Sequence, residues 1–292
     1  MAQTQVIQRR IRSVRNAGQI TKALEVVAAS RMRRIQSSVE RVRRYAEVAD
    51  SIMRRIAPSQ EAKAHPFFKA GGGKTRLYVV FNSDRGQAGA FNSNIFALAH
   101  STFMRDKADG FSPAVIVFGR KGTSHFARLA EVDMIGAYEN VEDIPDINVF
   151  APVLAAIETG FSENRYDSVS LIYTSFRSSL SQQVTQSQLL PIKLPDQTAE
   201  VKPEAVKVYE FEPNIEAVLA EALRIYFEAS LISARVESAA SEHSMRMVAM
   251  GNANRNARDL VDDLTLELNS VRQAAITQEI AEITGGAEAI TA

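Results

Sequence analysis

The chain has 292 residues, 46% apolar and 23% charged, enough to build one large domain or two small ones and unlike a disordered or fibrous composition. It has no cysteine, so disulfides, thiolate zinc sites and thiol redox switches are excluded, and no apolar run approaches the ~18 residues that would span a bilayer. The formal net charge of zero argues weakly against nucleic acid as the main partner, yet it hides polarised ends: residues 1–57 carry 12 Arg and Lys22 against four acids, and residues 214–292 carry six Arg against twelve acids.

All nine prolines lie between Pro58 and Pro213. A proline inside a helix costs about 3 kcal/mol, so two proline-free ends around a proline-bearing middle predict two long helices flanking a compact domain. At the N-terminal end the apolar positions run Ile7, Ile11, Val14, then Ile20, Leu24, Val27, and then Ile35, Val39, Val42, Ala46, Ala49, Met53, Ile56. Alternating steps of four and three are the seam of a coiled coil, in a helix on the order of 80 Å long. The first 24 residues are Arg-rich, amphipathic and free of acids, which imitates a mitochondrial transit peptide. No cleavage boundary is evident and the rhythm continues into Ile35–Ile56, so the segment is read as part of the mature rod. A nucleic-acid arm would interleave aromatics among the arginines, and none occurs before Tyr45.

After a linker expected over Ala57–Gly73, strand-like runs at Arg76–Asn82, Ala114–Phe118 and Ser168–Thr174 alternate with helix-like stretches at Asn92–Lys107, Gly122–Ala130 and Val149–Phe161. That alternation predicts a mostly parallel, doubly wound sheet, with SSLSQQVTQSQLLPI adding an edge strand after a polar turn. A second linker is expected over Pro191–Pro213. Beyond it the coiled-coil rhythm returns at Ile215, Leu219, Ala222, Tyr226, Ala229 and at Ala257, Val261, Leu264, Leu268, Val271, Ala275, in a helix on the order of 100 Å long. Neither helix is stable alone with one narrow apolar stripe, and the simplest partner is the other. The expected organisation is therefore an antiparallel coiled-coil shaft from 1–57 and 208–292, a Rossmann-like α/β domain from 74–195, and linkers at 58–73 and 196–207. The seam is imperfect: Ser233, His243, Asn254 and the small residues Ala239–Ser241 occupy it, and Gly18 and Gly251 interrupt the helices. These are either tolerated weak spots or the mark of a rod partly enclosed by something else.

Two segments imitate phosphate-binding loops. GGGKT (Gly71–Thr75) has Phe68 where a phosphate loop needs its first glycine, and a strand follows it where a helix should, so it reads as a flexible linker. SDRGQAGAFNSN (Ser83–Asn94) does lie between a strand and a helix, but Gly86 and Gly89 do not make the dinucleotide fingerprint. It reads as a tight turn with Asp84 as a turn or capping residue. The four histidines (His65, His100, His125, His243) are scattered without metal-ligand spacing, no nucleophile elbow occurs, and Asp262, Asp263 and Glu267 read as a solvated helix face. Neither a cofactor nor a catalytic constellation is expected.

Three blocks resemble the gamma subunit of F-type ATP synthases, bacterial type: IRSVRNAGQITKALEVVAASRMRR (Ile11–Arg34), the turn SDRGQAGAFNSN, which is similar to the family's SDRGLCGGFN, and Met245–Ala289 almost throughout. The resemblance implies a non-catalytic rotor. Its paired terminal helices would insert into a ring of α and β subunits, and its α/β domain would meet the epsilon subunit and the c-subunit ring. Proton-driven rotation would then be coupled to ATP synthesis or hydrolysis on the other subunits. It also implies a peripheral place on the cytoplasmic face of a bacterial plasma membrane, with no direct membrane span and no nucleic acid. By the same resemblance Lys22 and Leu24 fall where the first helix faces the moving lever of the catalytic subunits, and Arg246, Gln273 and Thr277 where the last helix contacts β. Many relatives carry Met at Leu24, and many have Leu, Cys and Gly where this chain has Gln87, Ala88 and Ala90, which alters packing in the α/β domain. The redox-active Cys pair of the chloroplast branch is missing. Two other classes compete with this reading: a nucleotide-using α/β enzyme with helical dimerisation arms, and a self-associating coiled-coil scaffold.

Overall fold

A computed structural model describes residues 2–192, 211, 212 and 214–291, with side chains described for 4–192, 211, 212 and 214–284. The linker expected over 196–207 and the start of the second shaft segment at 208 lie outside the described residues. The chain divides into two compact units, Met1–Ala29 with Arg246–Ala292, and Ser30–Met245.

Two helices dominate: α1 (Ala2–Ile56, 55 residues) and α6 (Ile215–Thr291, 77 residues), about 80 and 115 Å at 1.5 Å per residue. Between them run α2 (Gln60–Ala64), β1 (Thr75–Phe81), α3 (Phe91–Ala108), β2 (Ser112–Phe118), α4 (Arg120–Phe126), β3 (Asp133–Tyr138), α5 (Ala151–Ser162), β4 (Tyr166–Phe176) and β5 (Gln182–Leu190). The sheet order is β3-β2-β1-β4-β5, parallel except for β5, which runs antiparallel to β4. This is the expected doubly wound, mostly parallel sheet. Strand β5 is the added edge strand, whereas β3 gave no signal of its own.

In the Ser30–Met245 unit the sheet is buried on both faces, which explains the continuous apolar runs of β1 and β2. Alternate residues supply each face. Leu77, Val79, Phe81 and their neighbours on β2 and β4 pack against Val153, Ile157 and Phe161 of α5, Met53 and Ile56 of α1, and Leu223, Phe227 and Leu231 of α6. Tyr78, Val80, Val115 and Val117 face Phe91, Ile95 and Phe103 of α3 and Phe126 of α4. Ala88, one of the departures from the family turn, is buried in this second cluster. The segment between α1 and β1 joins the first core: Ser59 caps α2 by accepting from the Ala62 N–H at 3.1 Å, and Phe67 sits edge-on to Phe227, ring centroids 5.6 Å apart.

The glycines of GGGKT are not slack. A Cβ at Gly71 would lie 2.3 Å from the Tyr166 carbonyl oxygen and one at Gly73 2.3 Å from that of Arg165, so the backbone runs hard against the start of β4. The SDRGQAGAFNSN segment is a turn, but Asp84 does not cap the α3 helix that follows it; it braces two distant segments instead. Asp84 Oδ1 accepts from the Arg120 N–H opening α4 and from the Asn140 N–H, both at 3.0 Å. Asn92 accepts from the Ser83 N–H (3.1 Å) and donates to its hydroxyl (2.7 Å). The histidines scattered along the sequence find partners: His100 and His125 meet at 3.0 Å between α3 and α4, and His243 lies 3.0 Å from Asp143. Among the described residues no group of three or more His, Cys, Asp or Glu could hold a metal ion, and no helix is long and apolar enough to cross a membrane.

Candidate partner-contact surface

The Met1–Ala29 and Arg246–Ala292 unit is built from the beginning of α1 and the end of α6. Two close approaches fix their direction. A Cβ at Gly18 would lie 3.3 Å from Ala257 Cβ, and one at Gly251 would meet Glu25 Cδ at 3.5 Å. Going up α1 from 18 to 25 goes down α6 from 257 to 251, so the helices are antiparallel. Ile7, Ile11 and Leu264 close the seam, with Val14, Val261, Leu268 and Val271 packed on them.

The seam differs from the expected one between Gly18 and Ala28. Ile20 and Val27 point outward, 61% and 51% exposed, while Gly18 and Ala28 are buried and Thr21 and Glu25 half-buried. Small and polar residues let the helices come close here and push the apolar ones outside. At this register Gln273 lies opposite the first turn of α1, and α6 runs on beyond it with Ile276, Ile280 and Ile283 exposed. With Val6, Val26, Leu260 and Leu266 also exposed, the helix pair carries apolar side chains around much of its circumference. Apolar surface of this extent marks an interaction site.

All five residues singled out in the sequence lie on this unit. Lys22 is exposed and pairs with Glu25 of its own helix at 3.1 Å, and Leu24 is half-buried. Arg246 is half-buried, and Gln273 and Thr277 are exposed one turn apart, the Thr277 hydroxyl donating to the Gln273 carbonyl at 2.9 Å. The antiparallel register brings Lys22, Leu24 and Arg246 to one stretch of the pair and leaves Gln273 and Thr277 some 30 residues along α6 from Arg246, about 40–45 Å away. Between these groups an open groove of about 540 Å³ has Val14, Ala257 and Val261 on its floor and Arg15, Lys22, Arg258 and Asp262 on its rim. The surface offers apolar and cationic contact area.

Sequence reasoning missed two polar clusters in the other unit. Arg43 binds Glu237 with both Nε and a terminal nitrogen at 3.0 Å, and that hydrogen bond, against the cost of burial, raises the already high guanidinium pKa. Asp143 receives His243 at 3.0 Å and lies 3.7 Å from buried Arg235. Burial pushes the Asp143 carboxyl up, but the His243 hydrogen bond and the charges of His243, Arg235 and Arg31 outweigh it and hold it below its ordinary value. The available signal was the run RVESAASEHS, polar and small where a helix seam should be apolar.

A bare antiparallel helix pair, with a five-stranded doubly wound domain in the second unit, is the fold of the central-stalk chains of rotary ATP synthases. A Tetrahymena thermophila mitochondrial ATP synthase central stalk and c-ring structure contains a chain 23% identical, with a TM-score of 0.61 over 80% of this chain and 99% of that one. A Euglena gracilis mitochondrial ATP synthase rotor contains one 17% identical, with a TM-score of 0.67 over 94% and 99%. The family model described as ATP synthase matches residues 3–290. The ATP synthase gamma chain of Desulforamulus reducens is 37% identical over 99% of this chain and 100% of its own length. Those of Geobacter metallireducens and Chloroflexus aurantiacus are each 38% identical, over 99% of both chains and 100% of both chains respectively. The chain belongs to the ATP synthase gamma-chain family.

Proposed function

We propose that this chain is the non-catalytic rotor of a proton-translocating ATP synthase. Its helix pair stands inside a ring of α and β subunits, and its α/β domain contacts an epsilon subunit and a c-subunit ring on the cytoplasmic face of a bacterial plasma membrane. Lys22, Leu24, Arg246, Gln273 and Thr277 are the contacts to the ring. The division of labour is a shaft from 1–57 and 208–292 and an α/β domain from 74–195. The observation that supports this reading is the antiparallel pair with Ile20, Leu266, Ile276, Ile280 and Ile283 exposed around it, a surface suited to a surrounding sleeve.

Rotation would present the same exposed side chains to successive catalytic subunits, so the chain changes nucleotide affinity by mechanical contact and needs no phosphate site of its own. The test is purification of the chain with and without α and β subunits. Co-elution with both, together with no ATP turnover by the chain alone, is the expected result. Turnover by the isolated chain would favour a nucleotide-using enzyme, and self-association without α and β would favour a scaffold.

A further inference from the structure

In α6 the stretch Arg235–Ser244 is buried although most of it is polar: Glu237 is 6% exposed, Ser238 2%, and Ser241 and Ser244 0%. Buried polar groups require partners. Strand β1 pairs with β4 only as far as Ile172, so beyond that point the β1-facing edge of β4 has no strand beside it. The side chains of α6 take the place of the missing strand. Ser238 accepts from the Thr174 N–H and the Ser241 hydroxyl donates to the Thr174 carbonyl, both at 3.1 Å. The Glu237 carboxylate accepts from the Phe176 N–H at 3.0 Å and from the Ser175 hydroxyl at 2.7 Å. The same carboxylate holds Arg43 of α1, whose guanidinium also donates to the Phe176 carbonyl. One side chain thus fastens α1, α6 and β4 together.

The hydrophobic drive is non-directional, whereas hydrogen bonds to a fixed backbone are directional and hold one register. We propose that Glu237, with Arg43, Ser238 and Ser241, forms a torque-bearing joint that locks the two helices to the sheet, so that turning the α/β domain turns α1 and α6 without slip. Glu237 is a positioning residue: it is 6% exposed and its carboxylate is taken up by Arg43, Ser175 and the Phe176 N–H. The proposal rests on the rotor reading.

The test uses the complete complex in sealed vesicles, measuring ATP hydrolysis and ATP-driven proton uptake together, first in the initial phase before an opposing gradient has formed and again once it has built up. Glu237→Gln keeps the shape but removes the charge. It should lower protons moved per ATP about tenfold against a full gradient while hydrolysis changes less than about twofold, and without the gradient it should match the unsubstituted complex. Glu237→Asp should recover part of the loss. If both rates fall in proportion, or protons per ATP stay unchanged, the joint is overturned and Glu237 is merely structural. If Glu237→Gln does not assemble, Ser241→Ala, which removes a single bond, makes the same comparison: reduced coupling supports the joint and unchanged coupling overturns it. Failure of the unsubstituted chain to assemble or pump would instead sink the rotor reading, and the joint with it.

Discussion

Arg76 offers the sharpest test of how the Ser30–Met245 unit is held together. It sits near the start of β1, 23% exposed at its side chain, and its guanidinium reaches Asp106 of α3 at 2.7 Å, Asp167 of β4 at 3.2 Å and Asp109 at 3.5 Å. It also lies 3.8 Å over the Phe111 ring. Asp106 is wholly buried and takes a second bond, 2.5 Å, from the Tyr78 hydroxyl. Burial and the neighbouring Asp106 push that phenol well above its ordinary range. Replacing Arg76 by Met keeps the stem but strands a buried carboxylate, a loss of about 3–5 kcal/mol for a fully buried pair. Partial exposure of Arg76 discounts this to about 2–4 kcal/mol. At 1.4 kcal/mol per tenfold, exchange of the buried β1 amides should accelerate about 100-fold, read by hydrogen-exchange mass spectrometry on the full chain. Adding Asp106→Asn removes the stranded charge and should recover more than half of the loss. Acceleration of less than about fivefold in Arg76→Met, or simple addition of the two substitutions, would show that the Arg76–Asp106 pair does not hold this unit together.

The register of the helix pair can be checked by cross-linking, because the chain has no native cysteine. Gly18→Cys with Ala257→Cys should form a disulfide on mild oxidation, since a Cβ at 18 would lie 3.3 Å from that of 257, close to the ~3.8 Å typical of the bond; Gly18→Cys with Leu264→Cys should not, as gel mobility would show. Asp143 is held below its ordinary pKa, so its stabilising contribution is complete above about pH 4, the unfolded value, and is lost as pH falls through the lower folded value. The urea midpoint gap between the native chain and Asp143→Asn should therefore close as the pH falls below about 4; a gap that widens there would contradict the sign. Phe227, wholly buried against Phe67, should cost about 3–5 kcal/mol on truncation to Ala, seen as faster exchange throughout β1 and β4. Lys22→Glu and Arg246→Glu should each lower ATP hydrolysis by the assembled complex about tenfold while leaving the exchange of β1 amides unchanged, and a normal rate would remove them from the contact set.

Much of this architecture was legible because it rests on local periodicity. Ile35, Val39, Ala49, Met53 and Ile56 are all buried, as their 3–4 spacing required, and so are Leu219, Ala222 and Ala229. The rule failed between Gly18 and Ala28, where close helix approach selects small and polar seam residues and the apolar ones serve the outside. Strand β3 was missed because it is a half-buried edge with Gly136 in its middle, which leaves neither an apolar run nor a clean alternation. The α4 helix begins at Arg120 and ends at Phe126, short of the expected Ala130, and Leu129 packs on the same core from the turn beyond it. The Arg43–Glu237 and Asp143–His243 contacts join residues 194 and 100 positions apart, and no local pattern announces such pairs. Lys22, Leu24, Arg246, Gln273 and Thr277 are proposed as contacts on family resemblance, because periodicity alone makes them ordinary helix surface.

Single-molecule rotation decides whether the chain turns as a rotor. Leu180, 85% exposed in the turn between β4 and β5, becomes a unique labelling site as Leu180→Cys in this cysteine-free chain. With the α and β subunits fixed to a surface and ATP supplied, a bead on residue 180 should turn in one direction through full revolutions. A complex that assembles and hydrolyses ATP while the bead only jitters in place would contradict the account.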